Sequence, residues 1–338
     1  AGVLHRYYSK KLLYPVVIGL VIANTINAGA DIAAIAAAIN MFVPIPISAM
    51  VIPIAVAIVI LQIWGSYHLI VKIFKWLTLS LFAYVIAAFL ARPDWFAVAK
   101  ATFIPQISLT REYITTIVAI LGTTISPYLF FWEASEEVEE EKSEGRKNIT
   151  ARRGATDAEI KKEKIDTIIG MLFCNVVFYF VILAAGATLH VSGKTDIQSA
   201  TDAAQALRPL AGNLATVLFA IGLIGAGLLA VPVLTGSAAY AVAETFGWPS
   251  GLDEKPKHAK KFYGVIAVST LVGVAIDFLG INPIRALFWT AVINGVVAPP
   301  LLVVVMLVAN NKRVMGSRTN GFFTNIFGWL AAAIMFTA

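Results

Sequence analysis

Ser126 and Pro127 interrupt an otherwise apolar run from Tyr113 to Trp132, and an acidic stretch follows at once from Glu133 to Glu141. These residue types at that place suit cation chemistry. A proline removes a backbone donor and clashes with the preceding turn. A helix that meets one in mid-run therefore opens, and the carbonyls of Leu121 to Ile125 are expected to lose their partners. A helix C-terminus carries partial negative charge, so the backbone near Thr124 and Ile125 can face a cation. Ser126 adds a hydroxyl and Tyr128 a phenol, both neutral oxygen ligands. The simpler alternative is a plain proline kink at Pro127, which membrane helices tolerate when neighbours re-satisfy the freed groups. Glu133, seven residues beyond Ser126, is either a stepping point on an ion path or the start of a solvated acidic surface.

A second set of polar groups lies inside apolar sequence. Asn24, Asn27 and Asp31 are spaced three and four apart, which places them on one face of a helix. A carboxylate within a span is costly unless it faces a bundle interior or a cavity. Asp31, with Asn27, is thus either a proton- or ion-path group or a buried packing contact. Asn175 and Asn294 are candidates for a polar cavity or gate, set against the commoner role of helix–helix hydrogen bonds. No CxxC, HExxH, Walker or glycine-rich nucleotide motif accompanies them, and His5, His68, His190 and His258 fall at span ends or in loops. A soluble-type enzyme site has no support, and no cofactor is expected.

The elements that position these groups follow from composition. Of 338 residues, 59% are hydrophobic and 14% charged, with mean hydropathy +0.80. Soluble domains carry about 25% charged residues. Apolar runs near the length of a bilayer crossing recur along the chain, the mark of an all-α polytopic membrane protein. They do not alternate as barrel strands would. The single cysteine, Cys174, excludes an internal disulfide and is expected to pack as a small hydrophobe.

Nine spans are expected, in one transmembrane domain over 1–338: roughly 13–42, 47–64, 76–90, 113–132, 167–189, 210–246, 262–279, 284–309 and 322–338. Short links are read at 65–75 and 280–283. Longer polar ones are read at 91–112, 133–166, 190–208, 247–261 and 310–320. Pro232 and the glycines Gly222, Gly225 and Gly227 mark close approach or bending in the sixth span. Placing the N-terminus of the chain in the cytoplasm puts twenty of the 26 Lys and Arg residues on the inner side. The exceptions are Arg92, Lys100, Arg111, Lys194, Arg208 and Arg285. This is the positive-inside pattern. The net charge of +6 therefore reads as topology, not as a nucleic-acid face. The partners are the lipid bilayer of a plasma or inner membrane and the ions that cross it; oligomeric state has no signal. The chain starts at Ala1 with no signal-peptide pattern, so a fragment or trimmed form is expected.

The run GTTISPYLFFWEASEEVEE (122–140) resembles the broken sixth helix of NRAMP-type divalent-metal transporters. NAGADIAAIAAAI (27–39), VPVLTGSAAYAVAE (231–244) and GINPIRALFWTAVINGVVAPP (280–300) point the same way. The match is similar to the branch with atypical metal motifs, which includes magnesium-transporting relatives. The resemblance implies two inverted five-helix repeats of leucine-transporter-like fold and proton-linked uptake of divalent cations. Residues 1–112 would then be a remnant of the first repeat (helices three to five). Residues 113–309 would be the second repeat (helices six to ten), and 320–338 an additional helix.

In the family, helix one carries an Asp-Pro-Gly-Asn break whose Asp and Asn bind metal; no such run occurs here. The family's Met-Pro-His of helix six becomes Ser126, Pro127 and Tyr128. Thioether sulfur favours softer transition metals, whereas hydroxyl and carbonyl oxygens suit hard cations. The expected substrate is Mg²⁺ or Mn²⁺, with Fe²⁺ also in the family's range. Asp31 resembles an acidic helix-three position that helps carry protons in relatives. The competing readings are an amino-acid or organic-cation carrier of the same fold, with Tyr128 to Trp132 lining a larger cavity, and a non-transporting membrane subunit.

Overall fold

The computed structural model describes residues 1–337 apart from 66, 105, 147, 153, 188–192, 194–196 and 198–199, and the side chains of 12, 67, 68, 200–213 and 215. His190 and Lys194, and the side chains of His68 and Arg208, lie outside the described residues. Among those described the chain is helical: α1 Gly2–Tyr7, α2 Lys10–Asn40, α3 Ile47–Trp64, α4 Tyr67–Leu77, α5 Phe82–Leu90, α6 Trp95–Phe103, α7 Arg111–Thr124, α8 Pro127–Ser143, α9 Asp157–Ala185, α10 Ala200–Phe246, α11 Lys260–Asp277, α12 Pro283–Ala309, α13 Lys312–Met315 and α14 Phe322–Thr337.

Among the described residues, seven segments are long and apolar enough to cross a membrane: Leu13–Asn40, Ile47–Trp64, Leu69–Leu90, Arg111–Ser143, Asp157–Ala185, Thr216–Phe246 and Pro283–Ala309. The other two expected spans correspond to α11 and to the shorter apolar α14. Local chemistry sets the ends. Thr156 and Glu159 form a reciprocal cap at the start of α9, and Asn282 caps α12 just ahead of Pro283. Such caps satisfy backbone donors that a helix start leaves open.

Three stretches read as links are helical. The 65–75 link is helix from Tyr67, because Lys72 and Lys75 sit on its exposed face while Ile70 packs inward. A 3₁₀ turn over Thr78–Leu81 joins α4 to α5. Within 91–112, Asp94 accepts from Phe96 and Ala97 N–H and starts α6. Helix resumes at Ala200, inside the 190–208 link. Cys174 is exposed on α9 instead of packing inside.

The bundle is built around α2, the most enclosed of the seven spanning segments, which packs on α10, α11, α12 and α3. Its C-terminal half is alanine-rich, with Ala28, Ala30, Ala33, Ala34, Ala36 and Ala38 buried. Lipid supplies no hydrophobic drive between helices, so association rests on close van der Waals packing and small interfaces. The α2–α11 crossing shows this: a Cβ on Gly273 would lie 2.6 Å from the Thr25 carbonyl oxygen.

On the side assigned to the cytoplasm, the link between α10 and α11 is tied down. Leu252 N–H donates to the Tyr240 hydroxyl (3.1 Å), and the Tyr263 hydroxyl donates to the Glu254 carbonyl (2.9 Å). Gly251 takes φ 148°, and a Cβ there would stand 2.7 Å from Glu139 Oε1, which pairs with Lys142. Nearby, the Arg146 guanidinium is held above its ordinary value by the hydrogen-bonded Glu159 carboxylate.

Candidate ion site at the helix break

The apolar run does break where the proline falls. Helix α7 ends at Thr124, and α8 begins at Pro127 in its first turn. Proline suits that position because the first helical N–H has no intrahelical partner. Between them Ile125 has φ −114° and ψ 64°, and Ser126 φ −76° and ψ 132°.

The expected loss of partners from Leu121 to Ile125 is narrower in the structure. Leu121 O accepts from Ile125 N–H at 2.8 Å. The Ser126 hydroxyl donates to Gly122 O (2.8 Å) and lies within bonding distance of Thr123 O (3.0 Å). Thr123 is the residue whose helical donor would have been the missing N–H of Pro127. Among the described residues, the carbonyls of Thr124 and Ile125 have no donor. Two bare carbonyls thus end α7, beside a buried serine only 3% exposed.

Both halves of the broken helix are clamped. At Gly122, α7 meets the Ala291 carbonyl and Gly295 of α12 so closely that no side chain fits between. Beyond the break, Ser237 of α10 donates its hydroxyl to Tyr128 O (2.9 Å), and Gly236 leaves room for the Trp132 ring. Tyr128 is half-buried and packs against both α2 clusters, one around Ala28 and Ile32 and one around Val17 and Leu20.

Its hydroxyl faces Ser126 and lies within electrostatic reach of Asp31, which also faces Tyr84 of α5. The fold therefore sets Ser126, Tyr128 and the break carbonyls together, with Asp31 within electrostatic reach of the Tyr128 hydroxyl. Asn27 stands at the edge, its Oδ1 accepting from Thr290 Oγ1 (3.0 Å). Asn294, 4% exposed, lies one turn along α12 from Thr290, and its Oδ1 has no partner among the described residues. Asn24 donates to Leu234 O (2.9 Å), and its Oδ1 is likewise buried with no partner among the described residues.

Two sequence candidates lie elsewhere. Glu133 is exposed, and Asn175 is exposed with its amide turned back to Met171 O (2.7 Å). Glu137, Glu140 and Glu163 bring carboxylates together between α8 and α9, with Glu140 paired to Lys162 at 2.7 Å. Sequence reasoning missed Tyr84 and the clamping roles of Gly122, Gly236 and Ser237. A glycine inside an apolar run was the available signal for the clamps; a lone tyrosine in α5 gave none.

The whole chain, residues 1–338, matches the Nramp family, described as natural resistance-associated macrophage protein-like. The divalent metal cation transporter MntH of Clostridium acetobutylicum is 29% identical over 255 residues, covering 75% of this chain and 54% of that protein. The protein of the same name from Bacillus subtilis is 27% identical over 285 residues, covering 82% and 61%. The chain thus spans little more than half the length of these curated relatives. Among solved structures, the manganese transporter of Eremococcus coleocola bound to an aromatic bis-isothiourea compound superposes with a TM-score of 0.70 at 18% identity, over 98% of this chain and 71% of that one. A mutant form of the same transporter gives 0.66 at 16% identity over the same shares. At that identity the likeness speaks for the fold, which is the leucine-transporter-like arrangement of helices. With a family match over its full length and seven apolar crossings, the chain belongs to the NRAMP family of multi-pass membrane proteins.

Proposed function

We propose that this chain supplies one wall of the substrate site in a secondary transporter that moves divalent cations by alternating access. The observation that carries the reading is the pair of bare carbonyls, Thr124 and Ile125, next to the buried Ser126 in the helix break, with Tyr128 one residue beyond Pro127. Broken helices with exposed backbone are the usual ion-binding device of such carriers. The available ligands are all oxygens, which favours hard cations, Mg²⁺ and Mn²⁺, over softer ones. The relatives named for divalent metal and manganese support the class.

A magnesium-sized ion takes about six oxygens in near-octahedral array. Thr124 O, Ile125 O, Ser126 Oγ and Tyr128 Oη fall short of that number. Water or a further segment of the protein completes the shell, in the family's pattern a broken first helix. Asp31 accepts a proton on the way across, a role supported by its electrostatic reach to the Tyr128 hydroxyl. The membrane is the plasma or inner membrane, with the start of this chain cytoplasmic by its Lys and Arg distribution.

The test is uptake by the complete protein in sealed vesicles with an imposed pH gradient. Saturable Mg²⁺ or Mn²⁺ uptake is expected, with Asp31→Asn flattening its pH dependence. Uptake of amino acids with neither cation carried would overturn the assignment. An unchanged pH profile in Asp31→Asn would return that carboxylate to packing.

A further inference from the structure

Helix α6 has no part in the ion site, yet it exposes large apolar side chains outside the spans. Phe96 is 81% and Phe103 84% exposed, and the chain beyond continues with exposed Ile104, Ile107 and Leu109. At nine residues, or about 14 Å, α6 is too short to cross a membrane. It begins shortly after Leu90, where the crossing segment Leu69–Leu90 ends. Its angle to α5 is fixed by Trp95 against Phe89, ring centroids 5.0 Å apart. Its inner side is tied to α9 by the Thr102 and Tyr179 hydroxyls, 2.9 Å apart.

Phe96, Lys100 and Phe103 recur at four and three residues, so the outer face reads Phe–Lys–Phe along one stripe. Arg92 makes the turn from α5 at φ 47°, a left-handed conformation uncommon for a side chain of this size. It stands at a cavity of about 850 Å³ between α6 and α9, walled by Val98, Ala101, Ile182 and Leu183. Neither Arg92 nor Lys100 pairs with a carboxylate among the described residues. The nearest in sequence, Asp94, has an oxygen committed to capping α6.

We propose that α6 is an interfacial anchor that binds phospholipid of the leaflet in which α5 ends. Phe96 and Phe103 enter the acyl boundary, Lys100 and Arg92 hold headgroup phosphate, and the cavity behind α6 takes part of an acyl chain. An aromatic and aliphatic face crossed by a cation is the composition of helices that lie in the interface plane, and a lysine stem lets its ammonium reach the phosphate level. The partner is lipid and not a protein because the stripe is continuous with a crossing segment and carries cations that have no carboxylate partner among the described residues.

The test uses nitroxide labels in a Cys174→Ala background, with the protein in vesicles of phosphatidylcholine and phosphatidylglycerol. Labels at Phe96→Cys and Phe103→Cys are compared with Lys257→Cys in the α10–α11 link and Leu172→Cys on the exposed face of α9. The oxygen-to-nickel accessibility ratio at 96 and 103 is expected to exceed that at 257 by about five-fold or more, with a depth of roughly 5–10 Å below the phosphates. A ratio equal to that at 257 would put α6 in water. Exclusion of both reagents would show that protein covers the face. Either result overturns the proposal. Arg92→Gln with Lys100→Gln is expected to make both labels shallower and to remove any dependence on phosphatidylglycerol; unchanged depth would remove the phosphate contact.

Discussion

At Ser126 a single side chain performs a structural repair and lines the candidate site. Pro127 takes away the N–H that Thr123 would have met, and the Ser126 hydroxyl stands within 3.0 Å of that carbonyl while bonding Gly122 O. Its lone pairs remain available to an ion. Ser126→Ala should therefore cost about 1 kcal/mol of stability, the usual net worth of such a bond, without shifting metal preference. Ser126→Met should lose the same bond but gain a thioether, and raise Mn²⁺ or Cd²⁺ affinity several-fold relative to Mg²⁺. Calorimetric titration of the complete protein with each ion, alongside thermal melts, separates the two effects. An unchanged ratio in Ser126→Met would place the residue outside the ion's ligand shell. The hydroxyl and the proline were legible in the sequence. That the hydroxyl turns back to its own helix was not, because a serine rotamer is chosen by the unpaired acceptors around it.

Between elements, the break works only if its two halves are held separately. Helix α7 is fixed to α12 at Gly122 and Gly295, and α8 to α10 at Trp132 with Gly236 and at Tyr128 with Ser237. A Cβ at position 122 runs into the Ala291 carbonyl, which belongs to backbone and cannot swing aside. Gly122→Ala should accordingly destabilise the protein by about 1–3 kcal/mol, the range for overpacking. Gly170→Ala, where a Cβ meets nothing within 4 Å, should be neutral or slightly stabilising by helix propensity. Melting temperatures in one detergent compare them directly; equal melting would mean the α7–α12 contact is not tight. Helix α6 and the early start of α4 were read as links for a shared reason. Each mixes charge with apolar residues on a turn-length scale, and only the neighbouring helix decides which face is buried.

For the whole molecule, the Lys and Arg distribution predicts a direction before any coordinates are known, since Lys and Arg resist translocation. Asn148→Cys and Lys257→Cys, in a Cys174→Ala background, should react with a membrane-impermeant maleimide only after permeabilisation. Leu109→Cys should react in intact cells. Reversed labelling would invert the orientation and the direction assigned to the acidic end of α8. The sequence alone determined the helical membrane class, the position of the break and the family, because hydropathy, proline and motif are properties of the chain itself. It also placed Asp31 on a polar face of α2. Only the tertiary structure decided that Asp31 comes within electrostatic reach of Tyr128 and Tyr84 while Glu133 and Asn175 are exposed. A residue's side of its own helix follows from spacing. What stands across from it depends on how α2, α5, α8 and α10 pack, and that is set by contacts far apart in sequence.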